Sequence, residues 1–245
     1  MIRRLFSLEL GPGPVILAGP EAHHGRDVLR LKPGDPVELF DGKGGAVRAV
    51  VSKLVKSEMI LEAEAPVIEP VIGPEIALAC AVPKFAHQET LVKMATELGV
   101  GVFQPLLCRY SSVREQFRPE KWNRWSLEAC KQCGRNRLPE VRDLTRFDEF
   151  LAAPEPFDRL VYGDAQSNNE AIESRLHDAQ RIAILVGPEG GFSPEELETL
   201  TKVGAVPLRV GHYVLRLETA AAALAAVVTF VQKELRDSSG GTKEG

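Results

Sequence analysis

The stretch that decides the fold is Ile182-Ala-Ile-Leu-Val-Gly-Pro-Glu-Gly-Gly-Phe-Ser-Pro-Glu-Glu196. Its first five residues are apolar and predict a buried strand, which runs straight into a glycine-rich turn. Ser193, Pro194 and Glu196 form a typical helix start, because serine caps a helix, proline suits its first position and the glutamate completes a capping box. Ligands of α/β proteins bind at the carboxyl ends of such strands. The turn is therefore either a ligand site or a tight connection without a ligand.

Strands and helices alternate around this unit from residue 76 to residue 235. The predicted strands are 76–82, 100–107, 159–162, 182–186 and 206–210. The predicted helices are 88–98, 119–133, 171–178, 194–203 and 218–235. Alternating units of this kind form a mostly parallel sheet that helices cover on both faces, so we expect an α/β domain.

Residues 1–70 have a different pattern, in which short apolar runs are separated by Gly-Pro, Pro-Gly and Asp-Gly turns. The predicted strands are 15–18, 37–40, 46–51 and 59–63, with one helix at 23–31. Consecutive short strands with tight turns predict a small β-barrel. Residues 66–74 contain three prolines and predict a linker. We therefore expect a barrel at 1–70, an α/β domain at 71–237 and a disordered, polar tail at 238–245.

Basic residues are concentrated in two parts of a chain whose formal net charge is -4. Between Arg109 and Arg146 there are ten Lys and Arg residues against five acidic ones. A second group lies near the start of the chain and comprises Arg3, Arg4, His23, His24, Arg26, Arg30 and Lys32. A local excess of cations is expected of a surface that binds a polyanion. The alternative for each group is a set of separate, solvated side chains.

Several functional classes are not indicated. The start of the chain lacks an apolar signal segment, and the longest apolar run, 219–231, is too short to span a bilayer, so no membrane partner is expected. Four scattered cysteines are typical of reduced thiols and predict a cytoplasmic protein. Cys130 and Cys133 form a Cys-x-x-Cys pair in a helical pattern, where helix packing is the default explanation. No metal-ligand motif is present, so no metal is expected.

A second glycine-bearing loop, 210–219, follows the last predicted strand and precedes a helix rich in alanine. Residues 219–226 include six alanines, and such small side chains allow close helix packing. This loop and the turn at 187–191 are candidates for the two walls of one pocket. Neither a Walker motif, a Gly-x-Gly-x-x-Gly nor a Gly-x-Ser-x-Gly elbow is present. Loops of this kind suit a cofactor that brings its own reactivity, while the protein supplies position and charge.

Five ordered motifs resemble one known family. They are His24-x-x-x-Val-Leu-Arg-Leu-Lys-Pro-Gly-Asp35, Lys93-Met-Ala-Thr-Glu-Leu-Gly-Val100, Glu128-Ala-Cys-Lys-Gln-Cys-Gly-Arg135, Val186-Gly-Pro-Glu-Gly-Gly-Phe-Ser193 and Leu215-Arg-Leu-Glu-Thr-Ala220. Together they resemble the ribosomal RNA N3-uridine methyltransferases of the SPOUT superfamily, and the match covers nearly the whole chain. Several motifs in the right order are far more specific than any one of them.

The resemblance implies a PUA-like N-terminal barrel and a C-terminal α/β domain with a deep trefoil knot. It implies a homodimer that binds S-adenosyl-L-methionine through loops at about 162–164, 186–191 and 210–216. The cofactor-binding residues would be Tyr162, Gly163, Val186, Gly187, Pro188, Glu189, Gly190, Gly191, Val210, Gly211, Val214, Leu215, Arg216, Thr219 and Ala220. The substrate would be a uridine of 16S rRNA, and the sequence leaves open whether the RNA is free or part of an assembled small ribosomal subunit.

The resemblance also gives roles to charged residues. Arg216 would stabilise the negative charge that develops on uracil when N3 loses its proton. Glu218 would hold Arg216 or accept that proton, and a solvent base is the alternative. The N-terminal basic group, together with Arg109 and Arg135, would bind RNA. Two other functions remain open: a SPOUT methyltransferase acting on another base or a ribose, and an RNA-binding protein without catalysis.

Overall fold

The computed structural model describes residues 2–112, 117–153, 157–168 and 172–240. The chain divides into two compact units. The first contains residues 1–72 and 127–138, and the second contains residues 73–126 and 139–245. The first unit therefore includes a short segment from the middle of the sequence.

The first unit is built on a six-stranded, mostly antiparallel sheet. Its strands are β1 (Arg3–Phe6), β2 (Gly13–Ala18), β3 (Pro36–Phe40), β4 (Gly45–Leu54), β5 (Glu58–Ala63) and β6 (Val67–Ile68). The strand order is β1-β3-β4-β5-β2, and β6 pairs with β4. Along β4 the residues alternate between core and surface, so that Val47, Ala49 and Val51 are buried. The predicted strands are confirmed, whereas β1 and the two-residue β6 were not predicted.

The helical segment of this unit begins earlier than the predicted helix at 23–31. It consists of α1 (Gly19–His23) and a π-helical turn, His24–Val28. Pro20 lies in the first turn of α1, where its missing N–H costs nothing, and this explains the early start. Arg30 adopts a left-handed backbone conformation with φ of 54°, which ends the helical run before Leu31.

Arg4 joins the first sheet to the segment 127–138. Its side chain is only 4% exposed, and its guanidinium lies over the Phe40 ring, 4.5 Å from the centroid. Its hydrogen-bond partners are the Glu38 carboxylate (2.7 Å), the carbonyl oxygens of Cys130 (2.7 Å) and Arg135 (3.1 Å), and the Asn136 side-chain oxygen. The prediction that Arg4 contacts RNA is therefore corrected, because a guanidinium buried among these acceptors is not presented to a phosphate.

The second unit is built on a parallel sheet of seven strands. They are β7 (Glu75–Ala81), β8 (Val102–Leu107), β9 (Glu140–Val141), β10 (Thr145–Arg146), β11 (Arg159–Gly163), β12 (Arg181–Val186) and β13 (Val206–Leu208). The order is β10-β8-β7-β12-β11-β13, with β9 also paired to β8. All pairs in this sheet are parallel. The expected parallel α/β sheet is confirmed, and β12 lies near its centre.

Six helices follow β7 in the described part of the chain, and one of them, α3, crosses from the second unit into the segment 127–138 of the first. They are α2 (Phe85–Glu97), α3 (Pro119–Cys133), α4 (Phe147–Ala152), α5 (Ile172–Leu176), α6 (Pro194–Lys202) and α7 (Leu217–Gly240). The bounds of α3 match the prediction, and α4 was not predicted. Because α7 runs to Gly240, it extends into the segment predicted to be disordered, and residues 241–245 lie outside the described residues. No helix in the described ranges is long and apolar enough to cross a membrane.

The alanine-rich start of α7 packs closely inside the second unit. Ala221, Ala225 and Val228 are fully buried, and Leu224 is nearly so. Two polar side chains on the same face hold the following turns of the helix, since Thr229 donates to the Leu98 carbonyl (3.0 Å) and Gln232 donates to the Leu176 carbonyl (2.6 Å). The expectation that small residues serve close helix packing is confirmed.

The adjacent residues Arg3 and Arg4 provide a matched test of the buried guanidinium. Arg4→Met leaves the Glu38 carboxylate and two buried carbonyl groups without their donor, so we expect a loss of about 3 kcal/mol in the free energy of unfolding. Arg3→Met removes an exposed pair with Asp35 at 3.4 Å and should cost less than about 1 kcal/mol. Denaturation in urea followed by circular dichroism measures both. Equal, small losses for the two variants would contradict the structural role of Arg4.

Candidate functional site

A cavity of about 480 Å³ lies at the carboxyl ends of three neighbouring strands, β12, β11 and β13. Three loops line it, at residues 163–166, 186–192 and 208–215, and the first turns of α7 close one side. The carboxyl ends of parallel strands meet at one edge of a sheet, which is why loops far apart in sequence converge here. A cavity of this volume is in the range that accommodates a small organic ligand.

Glycine is required in the turn after β12 because the backbone folds back on itself. A Cβ added to Gly187 would lie 3.1 Å from the Gly191 carbonyl carbon and 3.1 Å from the Phe192 nitrogen. Gly191 has a φ of 74°, and its N–H donates to the Pro188 carbonyl at 2.8 Å. The three glycines of the turn therefore bring its backbone to the wall of the cavity.

The predicted capping box at the start of α6 is confirmed. The Glu196 amide donates to the Ser193 hydroxyl (3.2 Å), and the Ser193 amide donates to the Glu196 carboxylate (2.8 Å). The second oxygen of that carboxylate accepts from the Arg109 backbone N–H (2.8 Å), on the loop after β8. Glu196 therefore fixes both the end of the glycine turn and the loop beside it.

Arg209 shapes the third loop. Its guanidinium donates to the carbonyl groups of Gly211 (3.0 Å) and His212 (3.3 Å). Beyond this bend, Tyr213 and Val214 are 86% and 85% exposed, and both line the cavity. Large side chains with this exposure lie open at the cavity mouth.

The lining of the cavity includes most of the predicted cofactor-binding residues. Those that line it are Gly163, Val186, Gly187, Pro188, Glu189, Gly190, Gly191, Val210, Val214, Leu215 and Ala220. Those that do not are Tyr162, Gly211, Arg216 and Thr219. The lining residues outside the predicted loops are Ala165, Gln166, Phe192, Leu197, Leu208, Arg209, Leu217 and Leu224. Helical spacing from the predicted Ala220 to Leu217 and Leu224 on α7 is a sequence signal that would have found two of these contacts.

Aromatic rings form a floor beneath the cavity. Tyr162 is buried, and its ring meets Phe192 edge to face with centroids 6.4 Å apart. Phe192 also packs on Phe147, with centroids 5.5 Å apart. Burial, together with the nearby Asp164 carboxylate, raises the pKa of the Tyr162 hydroxyl. Tyr162 is thus a supporting residue whose neighbour Gly163 reaches the cavity.

Three charged residues line the cavity. They are Asp164, Glu189 and Arg209. The Asp164 carboxylate also accepts from the Gln166 backbone N–H at 2.9 Å, which stabilises the first loop. Within the described ranges, no group of three or more His, Cys, Asp or Glu residues is arranged to hold a metal ion.

The two predicted catalytic residues lie at the start of α7 but in different surroundings. Arg216 is exposed, and its carbonyl accepts the Ala220 N–H at 2.8 Å. Glu218 is nearly buried, and its Oε1 lies 3.3 Å from Nδ1 of His87 on α2. The prediction that Glu218 holds Arg216 is corrected, because the ionisable partner of Glu218 is His87.

The predicted RNA-binding residues are also divided by their surroundings. Arg3, His23, Arg30, Lys32 and Arg109 are exposed. Arg26 and His23 both pair with Asp27. His24 is partly buried, and burial together with nearby Lys131 lowers its pKa. Arg135 is half-buried, and burial lowers the pKa of its guanidinium. The exposed members are the ones able to meet a phosphate directly.

Comparison with known proteins gives a consistent result across both units. Residues 71–229 match the family described as the RNA methyltransferase domain, and residues 17–64 match the RNA methyltransferase PUA domain. The chain is 30% identical to ribosomal RNA small subunit methyltransferase E of Mycobacterium bovis, over 93% of this chain and 92% of that protein. It is 27% identical to the Bacillus subtilis protein of the same name, over 90% of this chain and 91% of that one.

A solved structure agrees with these matches. The ribosomal RNA small subunit methyltransferase E of Neisseria gonorrhoeae, bound to S-adenosyl methionine, is similar with a TM-score of 0.84 and 28% identity. The similarity covers 94% of this chain and 98% of that chain. The fold, a PUA domain followed by a parallel α/β methyltransferase domain, and the sequence matches lead to one conclusion: this chain belongs to the ribosomal RNA small subunit methyltransferase E family of RNA methyltransferases.

Proposed function

We propose that this chain transfers the methyl group of S-adenosyl-L-methionine to N3 of a uridine in 16S rRNA. The observation that carries the proposal is the cavity at the carboxyl edge of the second sheet, lined by three loops and the start of α7. It lies in the part of the chain that matches the RNA methyltransferase domain. The motif resemblance supports the choice of uridine N3.

The residues of the cavity fit this cofactor. The glycine turn at 187–191 exposes backbone N–H and C=O groups, which suit the ribose and the adenine edge, and apolar residues such as Leu208, Val210 and Leu217 suit the flat adenine ring. Asp164 and Glu189 are carboxylates that suit the ammonium and sulfonium charges. When bound, the cofactor supplies a methyl group on a positively charged sulfur.

Arg216 is the residue best suited to act on the base. Uracil that has lost the N3 proton carries negative charge on its two carbonyl oxygens. The exposed Arg216 guanidinium lies at the N-terminus of α7, where the helix dipole also favours an anion. The two effects add, so the start of α7 stabilises the charge that develops during transfer.

The proton on N3 has two candidate acceptors. One is the Glu218 carboxylate, one residue into α7, whose contact with His87 at 3.3 Å holds it in place. The other is a base from solvent. A general base must be held within reach of the proton it removes, and the contact with His87 gives Glu218 a fixed position at the start of α7.

The first unit supplies cations for the RNA backbone. Arg3, Arg30 and Lys32 are exposed, and the match to a PUA domain covers residues 17–64. Phosphate contacts of this kind position an RNA without reading its sequence. Arg109 is exposed near the cavity and would serve the same purpose close to the reacting base. We propose 16S rRNA, free or in the assembled small subunit, as the partner of this surface.

Two further properties follow from the family resemblance. We propose a homodimer, supported by the exposed apolar side chain of Phe230 on α7, which is 63% exposed. The trefoil knot stays a prediction, supported by the convergence of three loops and α7 on one cavity.

Gly187 tests the fit of the cofactor. In Gly187→Ala the new methyl group would force the backbone of residues 191 and 192 outward, and overpacking of this kind costs roughly 1–3 kcal/mol. We expect calorimetry to show S-adenosylmethionine affinity reduced about tenfold or more. Gly11→Ala is the matched control, since a Cβ there meets no atom within 4 Å. Wild-type affinity in folded Gly187→Ala would count against the glycine turn as a wall of the cofactor site.

Arg216 tests the chemistry. Because its side chain does not line the cavity, Arg216→Ala should bind S-adenosylmethionine nearly as the wild type does. Methylation of unmodified small-subunit RNA should fall by about a hundredfold to a thousandfold, as on removal of an oxyanion contact. Arg216→Lys, which keeps a cation without the planar fork, should recover part of the rate. Full activity in Arg216→Ala would remove this residue from the mechanism.

Arg30 and Lys32 test the RNA-binding face. Reversal of both charges, Arg30→Glu with Lys32→Glu, should weaken RNA binding and reduce the salt dependence of affinity by about one unit of slope per lost phosphate contact. Affinity for S-adenosylmethionine should not change. Filter binding across a salt series measures the slope, and an unchanged slope would show that this face does not touch RNA.

A further inference from the structure

Two tyrosines lie on different loops beside the cavity. Tyr213, on the loop before α7, lines the cavity and is 86% exposed. Tyr110 is half exposed, on the loop after β8, and packs against Gly190 of the glycine turn. A Cβ added to Gly190 would lie 3.4 Å from the Tyr110 Cβ and 3.6 Å from its Cδ2. Gly190 lines the cavity, so Tyr110 lies directly behind one lining residue, while Tyr213 lines the cavity itself.

The Tyr110 loop is held rigidly. The Glu196 carboxylate accepts the backbone N–H of Arg109 at 2.8 Å, and the Ser111 hydroxyl accepts the backbone N–H of Cys108 at 3.0 Å. These contacts fix the residues on both sides of Tyr110. Arg209 fixes the bend before Tyr213 through the carbonyl groups of Gly211 and His212. Each ring thus extends from an ordered backbone.

Cations accompany both rings. Arg109 directly precedes Tyr110, and its side chain is exposed near Glu195, whose pKa is lowered by the Ser193 hydroxyl and, to a smaller extent, by Arg109. Arg216 follows Tyr213 by three residues and is also exposed. Aromatic side chains next to arginines are the combination that binds single-stranded nucleic acid, since rings stack on bases and guanidinium groups contact phosphates.

A base must leave its helical stack before an enzyme can act on its ring atoms. The free energy lost on unstacking is recovered when the base stacks on an aromatic side chain. The cavity itself is accounted for by the methyl donor, so the base has to lie at its mouth, where the two tyrosines and the 85% exposed Val214 offer apolar surface.

We propose that Tyr110 and Tyr213 form a stacking site for the unstacked target pyrimidine, and that Arg109 contacts a phosphate that flanks it. This proposal rests on the proposed function, because it takes the cavity to hold the methyl donor. It adds the residues that bind the reacting base. The occupant to which it commits is a single-stranded RNA base, and the competing occupant of these exposed rings is a second copy of the chain.

The test uses Tyr110→Ala and Tyr213→Ala, with Tyr110→Phe and Tyr213→Phe as matched controls that keep the ring. The full chain is assayed at saturating S-adenosylmethionine on unmodified small-subunit RNA. We expect the KM for RNA to rise about tenfold or more in each alanine variant, the range found when one stacking contact is lost. The phenylalanine variants should remain within about threefold of the wild type, because stacking needs the ring and not the hydroxyl.

A second measurement separates stacking from general RNA binding. Binding is measured for two RNA fragments. One carries the unmodified target uridine, and the other has an abasic residue at that position. The wild type should prefer the fragment with the base, and Tyr213→Ala should lose most of that preference. Equal preference in both proteins would overturn the proposal.

The remaining outcomes are also decisive. Methylation by the alanine variants with unchanged KM overturns the stacking site and leaves the proposed function intact. Loss of a dimer in sedimentation, in either alanine variant, assigns these rings to contact between copies and overturns the proposal. Absence of methylation by the wild type overturns the proposed function, and the stacking site with it.

Discussion

The Glu196 carboxylate is the contact on which the site most depends. One of its oxygens accepts the Ser193 N–H at the start of α6, and the other accepts the Arg109 N–H on the loop after β8. A single buried side chain therefore sets the position of the glycine turn and of the loop after β8. Since β8 and β12 are separated in the sheet by β7, the carboxylate spans one strand to connect the two loops.

This arrangement explains why the site is made mainly of backbone and apolar surface. The N–H groups at the start of α6 are already bonded internally, so the helix end does not act as a phosphate site. The cavity instead offers glycine backbone and aliphatic side chains to a neutral or cationic ligand. The two arginines proposed to act on the RNA, Arg109 and Arg216, are exposed and do not line the cavity. The proposed charged contacts to RNA therefore come from residues other than those that line the cavity.

Local patterns in the sequence were sufficient to predict the strands of the second sheet and the helix starts beside it. Apolar runs such as 182–186 predicted buried parallel strands, Pro119 fixed the start of α3, and Ser193 with Glu196 predicted a capping box that the structure contains. Each of these signals involves residues only a few positions apart, which is where intrinsic preferences and local hydrogen bonds decide the outcome.

Contacts between residues far apart in the chain could not be predicted from the sequence. Arg3 and Arg4 are identical residues at adjacent positions in the sequence. Neighbouring residues of a strand face opposite sides, however, and only Arg4 donates to carbonyl groups more than 120 positions away. The pairing of Glu218 with His87 across two helices has the same origin. Predictions for single charged residues failed where a tertiary partner decided their environment.

The proposed reaction of this chain is methylation of N3 of a uridine in small-subunit rRNA. The most direct measurement is incubation of the full chain with unmodified 16S rRNA and S-adenosylmethionine carrying an isotopically labelled methyl group, followed by mass mapping of the RNA digest. We expect one labelled product, 3-methyluridine, at a single position. Label on a ribose, on another base or on no RNA residue would contradict it.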